Sequence, residues 1–341
     1  MSHSFRLGFL THLRGSDDPR RIYSEALKLF EVAAALGFDS GWVAQHHFTK
    51  SAGYLPSPLP FLAAVAERTQ RIRLGTSIVV LPLETPLRVA EDAAVVDLLS
   101  DGRLELGVGS GASPLEFLPF DVDIATRHER TTEGLELIKR ALRGEVWGDA
   151  GQQLQPPAPT LTERIWLSGL SPIGATYAAS HEAGLLLSRA AWGYEEPTDQ
   201  VQLPVAQTYR EAWGDQVASP RIGLSRGFYI AADKSAALRE MQADLTPAIG
   251  GMVKQGRMAP GLSLETYCER FHIAYGHPEE VTASLQADQV FSHATELILQ
   301  LDPIFPTLEQ TIRMFEQVAT QIAPALGWVC ATDTAKSSSR L

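Results

Sequence analysis

Short apolar runs alternate with longer amphipathic stretches along most of this chain. The first run, FRLGFLT at residues 5–11, is followed by apolar residues spaced three or four apart and then by Gly37. Short apolar runs are typical of buried strands, and the wider spacing is typical of helices. Asp18 and Pro19 stand where a helix cap and a first helical residue are expected. The pattern predicts a strand followed by a helix.

The same unit recurs along the chain, and Ser-Pro or Thr-Pro pairs at residues 57–58, 85–86 and 171–172 open further predicted helices. Counting the apolar runs gives eight strands alternating with eight helices. This alternation predicts a parallel α/β sheet, and eight units favour a closed (β/α)8 TIM barrel over an open doubly wound sheet. We expect a single domain over residues 1–330 and a disordered polar tail at 331–341.

Two stretches are longer than normal loops and are predicted as insertions after the fourth and seventh strand-helix units. They are residues 144–162 and residues 246–274. The second stretch contains several glycines, so we expect a mobile lid there. A third stretch, residues 87–99, carries alanine and leucine at helical spacing. We interpret that stripe as core rather than as a cofactor-binding motif.

The composition is that of a soluble globular protein. Of 341 residues, 45% are hydrophobic and 20% charged, and the formal net charge of −11 with no basic run disfavours nucleic acid and anionic membranes as partners. Cys268 and Cys330 allow at most one disulfide, which suits a reducing compartment. The N-terminal residues do not resemble a signal peptide, and no apolar run is long enough to span a bilayer. We expect a cytoplasmic protein.

Two adjacent histidines, His46 and His47, come after a short apolar strand in the sequence FDSGWVAQHHF at residues 38–48. The carboxyl ends of strands are where parallel α/β folds place their chemistry. Histidine titrates close to neutral pH, so it can serve as an acid, a base or a ligand. The alternative is structural, with one ring capping the next loop and the other packed. These residues alone leave both interpretations open.

A glycine-rich sequence, GVGSGA at residues 107–112, fits the pattern G-x-G-x-x-G/A directly after a strand. A dinucleotide site needs these glycines to open a helix. Pro114 and Pro119 interrupt the segment after the glycines, and the glycines come late in the fold, so a nicotinamide site is disfavoured. Small residues at a strand end still allow a flat ligand to approach the backbone.

The sequence SGLSPIG at residues 168–174 predicts a helix start with exposed amides. Ser171 is placed as the cap and Pro172 as the first helical residue, and Gly174 carries no side chain to cover the N–H groups. Such a start can bind an anion. Simple capping is the alternative. In a barrel, phosphates commonly sit beside a helix start after a late strand, which makes the two interpretations equally weighted.

Two further residues are candidates for the functional site, and one metal-binding motif is absent. His12 could line the mouth of the barrel, although a lone histidine is more often structural. Arg189 comes after a predicted strand and could meet an anionic ligand or pair with an acid. No metal site is predicted, because the end of the first strand reads LTHL rather than the His-x-His of metal-dependent hydrolases on this fold.

The chain resembles the bacterial luciferase-like flavin-dependent monooxygenase family, and within it most closely an FMN-dependent luciferase-like oxidoreductase branch of unassigned substrate. Three sequence blocks carry the resemblance, at residues 36–48, 72–111 and 165–184. A weaker fourth block, GHPEEV, lies at residues 276–281. The match extends over most of residues 5–325 and implies the TIM-barrel fold.

The resemblance also implies roles for particular residues. His46 matches the active-site histidine beside the flavin, and Ser77-Ile78 matches a non-prolyl cis peptide under the isoalloxazine ring. Gly109 and Ser110 lie where luciferase carries a cysteine and a phosphate-binding arginine, which puts long-chain aldehyde luminescence in doubt. Both positions remain part of the strand end along the flavin. The resemblance then implies that the FMN phosphate is bound by Ser171, the Leu170 N–H and Gly174. Arg189 is a further candidate for this role.

The implied reaction uses FMN, reduced by a separate flavin reductase, together with O₂. A flavin 4a-hydroperoxide would transfer one oxygen atom to a small organic substrate, with His46 as base or hydrogen-bond partner. The family resemblance also suggests a homodimer. Two alternatives stay open: a deazaflavin-dependent oxidoreductase of the same superfamily, and a non-catalytic flavin-binding protein.

Overall fold

The computed structural model describes residues 4–15, 18–256 and 258–330, so the tail predicted at 331–341 lies outside the described residues. The strands are β1 (Arg6–Thr11), β2 (Ser40–Val43), β3 (Arg73–Thr76), β4 (Val79–Val80), β5 (Leu104–Gly109), β6 (Ile165–Ser168), β7 (Gly184–Leu187), β8 (Ile222–Ile230), β9 (Ala274–Gly276) and β10 (Glu296–Gln300). The α-helices are α1 (Pro19–Leu36), α2 (Pro58–Ala66), α3 (Pro86–Leu99), α4 (Pro114–Phe117), α5 (Arg127–Leu142), α6 (Pro172–Ser180), α7 (Thr198–Trp213), α8 (Lys234–Lys254), α9 (Leu264–Arg270), α10 (Pro278–Ala287), α11 (Leu308–Gln317) and α12 (Ala323–Ala325).

Eight of these strands close into a parallel barrel. β1, β2, β3, β5, β6, β7 and β8 are neighbours in that order, and β10 pairs with both β8 and β1. The short strands β4 and β9 extend the barrel by pairing with β5 and β8. The predicted (β/α)8 TIM barrel is therefore confirmed. All eight carboxyl ends open on the same side, which we call the mouth.

The first helix forms for the reasons its sequence indicates. Asp18 accepts a hydrogen bond from the Arg20 amide at 3.0 Å and Pro19 begins the helix. Gly37 ends it in a left-handed conformation with φ of 90°, which glycine adopts without steric cost. Its buried face consists of the apolar positions spaced along residues 22–33. This face packs the helix onto the barrel wall.

Helix α3 departs from its predicted orientation. Ala90 and Ala94 are buried as expected, but Leu87 and Leu98 are 42% and 70% exposed. The two leucines point outward, and the buried face consists instead of Val89, Ala90, Ala93, Ala94, Val96 and Asp97. The interpretation of the whole stripe as core is therefore wrong for the two leucines.

Insertions lie after the fourth and seventh barrel strands, as predicted. The fourth, β5, is followed by α4, α5 and a small antiparallel bridge between Trp147 and Gln152. The seventh, β8, is followed by α8, α9, β9 and α10. Residues 246–274 are largely helical rather than a loop, because Met241 and Leu245 anchor α8 and its glycines face open space, where they cost only about 1 kcal/mol each.

The barrel interior is filled by two indole rings and three aliphatic side chains. Trp42 and Trp166 meet edge to face with ring centroids 5.6 Å apart, and a Cβ at Gly75 or Gly184 would overlap one of these rings. The remaining members of this cluster are Leu10, Leu186 and Ile298. The cluster forms the floor beneath the mouth. Among the described residues, no helix combines the length and apolar character that a membrane span requires.

The end of the barrel opposite the mouth is closed by an ionic network. Glu105 accepts from Arg6 at 3.2 Å, is also paired with Arg73, and lies 3.7 Å from Arg221. Glu296 pairs with Arg6 at 2.7 Å. The two indole N–H groups of the interior donate to these carboxylates, at 2.7 Å to Glu296 and 2.6 Å to Glu105. We call this set the base network.

Candidate active site

A line of hydrogen bonds crosses the mouth and passes through His46. Its Nε2 lies 3.0 Å from His12 Nδ1, and its Nδ1 lies 3.2 Å from Glu116 Oε1. His12 Nε2 in turn lies 3.2 Å from Gln300 Oε1, and Gln300 Nε2 donates to Ser225 Oγ at 2.5 Å. We call these five residues the mouth relay. They come from the ends of β1, β2 and β10, from β8, and from α4 after β5.

The bonding pattern fixes where hydrogens lie along the relay. Gln300 directs its Nε2 to Ser225, so its Oε1 accepts from His12 Nε2. Burial, followed by the neighbouring His46, holds the pKa of His12 well below its ordinary value, so its Nδ1 is an unprotonated acceptor. His46 Nε2 must then donate to His12. A hydrogen bond between His46 Nδ1 and Glu116 Oε1 then requires a proton on one of these two atoms, which the pair shares.

The backbone holds His46 tightly in place. Its amide donates to the Leu55 carbonyl at 3.0 Å. Gly53 lies against the His12 carbonyl and the His46 ring, and its φ of 148° is one that side chains disfavour. A larger residue at position 53 would collide with the strand end. The two histidine rings are nearly parallel, with 21° between their planes and 5.3 Å between their centroids.

His47 faces away from the relay. Its ring packs edge to face on Phe120 at 4.9 Å, and burial lowers its pKa. Its amide lies 3.4 Å from Glu116 Oε2, so it helps to place the carboxylate that His46 contacts. The two histidines therefore occupy different surroundings, one in the mouth and one in the wall.

Sequence reasoning missed three members of the relay. Glu116 looks like an ordinary acid in the first turn of a helix, and Gln300 and Ser225 carry no motif. The sequence favours a structural role for His12, because a lone histidine is more often structural. A polar residue ending an apolar strand, as at Gln300 and His12, is the one signal that points to the mouth.

The residues matched to the flavin ring line the neighbouring strand ends. The Ser77–Ile78 peptide bond is cis, as the family resemblance implies. Ile78 packs against both the barrel floor and a second apolar cluster of Val80, Leu83 and Phe117. A Cβ at Gly109 would overlap Ser168 Oγ and approach Ile78. Packing between strands is therefore sufficient to explain why position 109 is a glycine. Ser110, the next residue, is partly exposed.

The start of α6 presents free donors to solvent. Ser171 Oγ accepts from the Gly174 amide at 3.2 Å, which leaves the hydroxyl hydrogen available. Among the described residues, the amides of Leu170, Ser171 and Ile173 have no hydrogen-bond partner within the chain. Leu170 and Ile173 are 53% and 84% exposed. The expected cap and the expected free amides are both present, which makes this start suitable for a phosphate.

Arg189 turns away from this helix start. Its Nη2 donates to Asp302 at 3.0 Å, and its guanidinium lies 5.2 Å from the centre of the Trp192 ring. Asp302 comes after β10 and also pairs with Arg14, which comes after β1. The structure thus brings Arg189 together with groups on the relay side of the mouth. Pairing with an acid, one of the two possibilities seen in the sequence, is observed.

Exposed apolar side chains line one part of the mouth. They belong to the loops after β2, β5 and β6 and are 53–84% exposed: Phe48, Leu115, Leu118, Leu170 and Ile173. Apolar groups gathered at one end of a barrel mark a surface that contacts a ligand. A flat aromatic ligand would cover them.

A family model described as luciferase-like monooxygenase matches residues 5–295 of the chain. The chain is 37% identical over 182 residues to 4-hydroxyprotoasukamycin monooxygenase of Streptomyces nodosus subsp. asukaensis, covering 50% of this chain and 48% of that protein. It is 28% identical over 209 residues to the oxygenase component of flavin-dependent trigonelline monooxygenase of Acinetobacter baylyi, covering 56% of each. The chain spans about half the length of these curated relatives.

A longer match, to F420-dependent glucose-6-phosphate dehydrogenase of Amycolatopsis mediterranei, is 25% identical and covers 79% of this chain and 84% of that protein. Among solved structures, monooxygenase RslO1 from Streptomyces bottropensis superposes with a TM-score of 0.76 at 26% identity, covering 94% and 99% of the two chains. The oxygenating constituent of 3,6-diketocamphane monooxygenase of Pseudomonas putida shares the fold, with a TM-score of 0.75 at 18% identity over 95% and 98%.

Proposed function

The chain belongs to the luciferase-like monooxygenase family, and we propose that it uses reduced FMN and O₂ to oxygenate a small organic substrate. The mouth relay carries the proposal, because it places a ring nitrogen of His46 3.2 Å from the Glu116 carboxylate at the open end of the barrel. An oxygenation needs such a group to deliver or remove a proton beside the reacting atoms.

The donors at the start of α6 fit the phosphate of FMN. The free amides of Leu170, Ser171 and Ile173 and the hydroxyl of Ser171 supply neutral donors to an anion, and the helix dipole favours negative charge. Gly174 leaves this surface uncovered. The isoalloxazine ring would lie along the strand ends that carry the remaining matched residues, namely Ser77, Ile78, Gly109 and Ser110.

Reduced FMN, when bound, would supply the reaction of O₂ from which one oxygen atom reaches the substrate. The chain itself would do three things. His46 would exchange the shared proton with the reacting groups, and Glu116 would hold or return that proton. His12 and Gln300 would keep the His46 ring in one orientation. The apolar rim around Phe48 would exclude water from the covered site.

A separate flavin reductase would supply the reduced cofactor. The trigonelline relative is named an oxygenase component, which supports a two-component arrangement for this chain as well. A homodimer is also proposed. The outward face of α3, which carries Leu87, Val95, Leu98 and Leu99, is 42–70% exposed and apolar, and a second copy would cover it.

Hydride transfer with the deazaflavin F420 is the second candidate. It is favoured by the F420-dependent relative, which matches more of this chain than either monooxygenase relative. The same barrel and the same relay would then protonate or deprotonate an alcohol or carbonyl without O₂. A non-catalytic flavin-binding role would leave the relay unused.

The test is to load the chain anaerobically with chemically reduced FMN or reduced F420 and then mix it with oxygenated buffer. We expect reduced FMN to bind and, on mixing, to give a transient absorbance distinct from both its reduced and oxidised forms. Tight binding of F420 alone, with hydride transfer to a carbonyl, would establish the second candidate. Binding of FMN without any protein-dependent change in its oxidation would establish the third.

Glu116→Gln tests the shared proton without removing the side chain. Glutamine keeps the shape and an acceptor oxygen but cannot hold a proton from His46. We expect the pH profile of the oxidative reaction to change its shape while FMN affinity stays close to that of the wild type. A profile identical to that of the wild type would mean that Glu116 only supports the loop. Glu129→Gln, in the first turn of α5, is the matched control.

A further inference from the structure

Three charged side chains meet at the mouth beside the relay. Arg14 comes after β1, Arg189 after β7 and Asp302 after β10. Asp302 shares its carboxylate between the two guanidiniums, one oxygen toward Arg14 and the other 3.0 Å from Arg189 Nη2. Two positive charges thus face one negative charge. The cluster has a surplus of one positive charge.

The surplus charge is shielded from water. The side chains of Arg14, Arg189 and Asp302 are only 18%, 10% and 11% exposed. Burial, with Arg189 as the next cause, lowers the pKa of Arg14 to about 10, and burial also lowers the pKa of Arg189. A buried charge without a counter-ion is costly, so the arrangement is unfavourable until an anion completes it.

Each guanidinium also has a buried nitrogen without a well-formed hydrogen bond among the described residues, and the Tyr267 hydroxyl lies beside that of Arg189. Arg14 Nε and Arg189 Nη1 are buried and form no hydrogen bond of normal geometry. Aromatic rings hold both forks in place, with Phe305 4.9 Å from Arg14 and Trp192 5.2 Å from Arg189. A guanidinium group that is held in place and has unpaired N–H donors matches the planar geometry of a carboxylate.

A cavity of about 310 Å³ adjoins both this cluster and the relay. Its walls include Arg14 and Asp302 from the cluster and His12 and Gln300 from the relay. Arg14 and Arg189 also act electrostatically on His12, which places the surplus charge beside the proposed catalytic line. A small molecule in this cavity would contact Arg14 and Asp302 on one side and His12 and Gln300 on the other. Arg189 is not part of the lining and is joined to it through Asp302.

We propose that Arg14 and Arg189 form a subsite for a carboxylate group of the substrate. This inference rests on the proposed function, since it names the class of molecule that the same mouth would oxygenate. The substrate is then a small organic acid, held by its carboxylate on the arginine side and presenting its apolar part toward His12, the relay residue that contacts His46. Asp302 is the internal counter-ion that partly neutralises the two arginines until the acid binds.

The test is a binding titration with benzoate and hexanoate against their neutral amides, benzamide and hexanamide. Calorimetry on the full chain without flavin gives a readout that does not depend on turnover. We expect the acids to bind at least tenfold more tightly than the amides. Arg14→Gln and Arg189→Gln should each weaken acid binding by about tenfold or more and leave the amides unchanged. Asp302→Asn should strengthen acid binding, because it removes the competing carboxylate.

Two further variants keep the result decisive. Arg189→Lys retains the charge but loses the fork, so it serves if the glutamine variants do not fold, and it should still weaken the acids. Arg313→Gln, exposed on α11, should have no effect. Equal binding of acids and amides, or acid binding that none of the mouth variants alters, would overturn the proposal.

The FMN phosphate is the other anion that these arginines could meet. If Arg189→Gln lowered the affinity for FMN but not for riboflavin, the cluster would be a phosphate site and the proposal would be wrong. Preferential binding of acids by a chain that fails to oxidise anything with FMN would leave the subsite standing and remove the proposed function. The two failures are therefore distinguishable.

Discussion

The two ends of the barrel use the same charged residue types in opposite ways. In the base network, two buried carboxylates are each paired with arginines, and Arg6, Arg73 and Arg221 remain 33%, 26% and 21% exposed. Their surplus positive charge is therefore hydrated. At the mouth, Arg14 and Arg189 share one acid away from water. The closed end keeps its surplus charge in contact with water, whereas the open end buries its surplus charge and leaves donors for something else.

Titration behaviour differs between the two ends as well. Burial alone would raise the pKa of Glu105, but Arg6 and Arg73 hold it below its ordinary value, so it stays ionised. Burial lowers the pKa of His12 at the mouth, where its ring is hydrogen-bonded to His46 and Gln300 and to no acid among the described residues. Partnered charges at the base are suited to stability. Neutral histidine and a shared proton at the mouth are suited to chemistry.

The sharpest way to test the role of the mouth is His46→Ala. Removing a positioned acid or base lowers turnover by about 10²–10⁴-fold, and FMN affinity should hardly change because the phosphate donors lie on α6. Stopped-flow absorbance after mixing the reduced complex with O₂ measures the effect. The matched control is His47→Ala, whose ring packs on Phe120 and does not face the relay. An unchanged reaction in His46→Ala would remove this residue from the mechanism.

Breaking the base network should cost stability instead of activity. Glu105→Gln leaves Arg6, Arg73 and Arg221 without their common partner, and we expect the free energy of unfolding to fall by about 3 kcal/mol. Urea denaturation measures it. Per folded molecule, the flavin reaction should be unaffected. A loss below about 0.5 kcal/mol, the size expected for an exposed pair such as Arg313–Glu309, would contradict a structural role for the base.

Ser171→Ala examines the cofactor side of the mouth. Losing one hydrogen bond to a charged group should weaken FMN binding by about 1.5–3 kcal/mol, or roughly 10- to 150-fold. Riboflavin lacks the phosphate and should bind almost as before, in a titration of flavin fluorescence. Ser263→Ala, which removes a matched cap at the start of α9, should spare both ligands. Equal losses for FMN and riboflavin would instead indicate fraying of α6.

The smallest effect concerns acid sensitivity. Because the pKa of His12 is lower in the folded than in the unfolded chain, the unfolded chain binds more protons below about pH 6.5. Stability is therefore complete above that pH and declines as pH falls toward the folded pKa. His12→Asn should flatten the decline in Tm between about pH 7 and 5, although His47 contributes in the same direction. Glu105, with its lowered pKa, acts only at lower pH. An unaltered slope in His12→Asn would place the acid-sensitive group elsewhere.

The chain's local pattern was enough to determine its architecture. Apolar runs, proline-led helix starts and terminal glycines are local signals, so they predicted the eight units and the burial of one face of α1. Local rules failed where burial depends on a neighbour, as for Leu87 and Leu98 on α3. They failed again in residues 246–274, where glycines suggested a loop but anchoring contacts extend α8.

The candidate site divides in the same way. Ser171 could be identified from the sequence, because a helix cap and its free amides depend on neighbouring residues alone. The relay could not, because His12 and Gln300 are 288 positions apart and His46 and Glu116 are 70 apart. The pairing of Arg189 with Asp302 spans 113 positions. Only closure of the barrel brings these strand ends together. Closure also buries their polar side chains, and burial is what sets their charges and protonation apart from those of exposed residues.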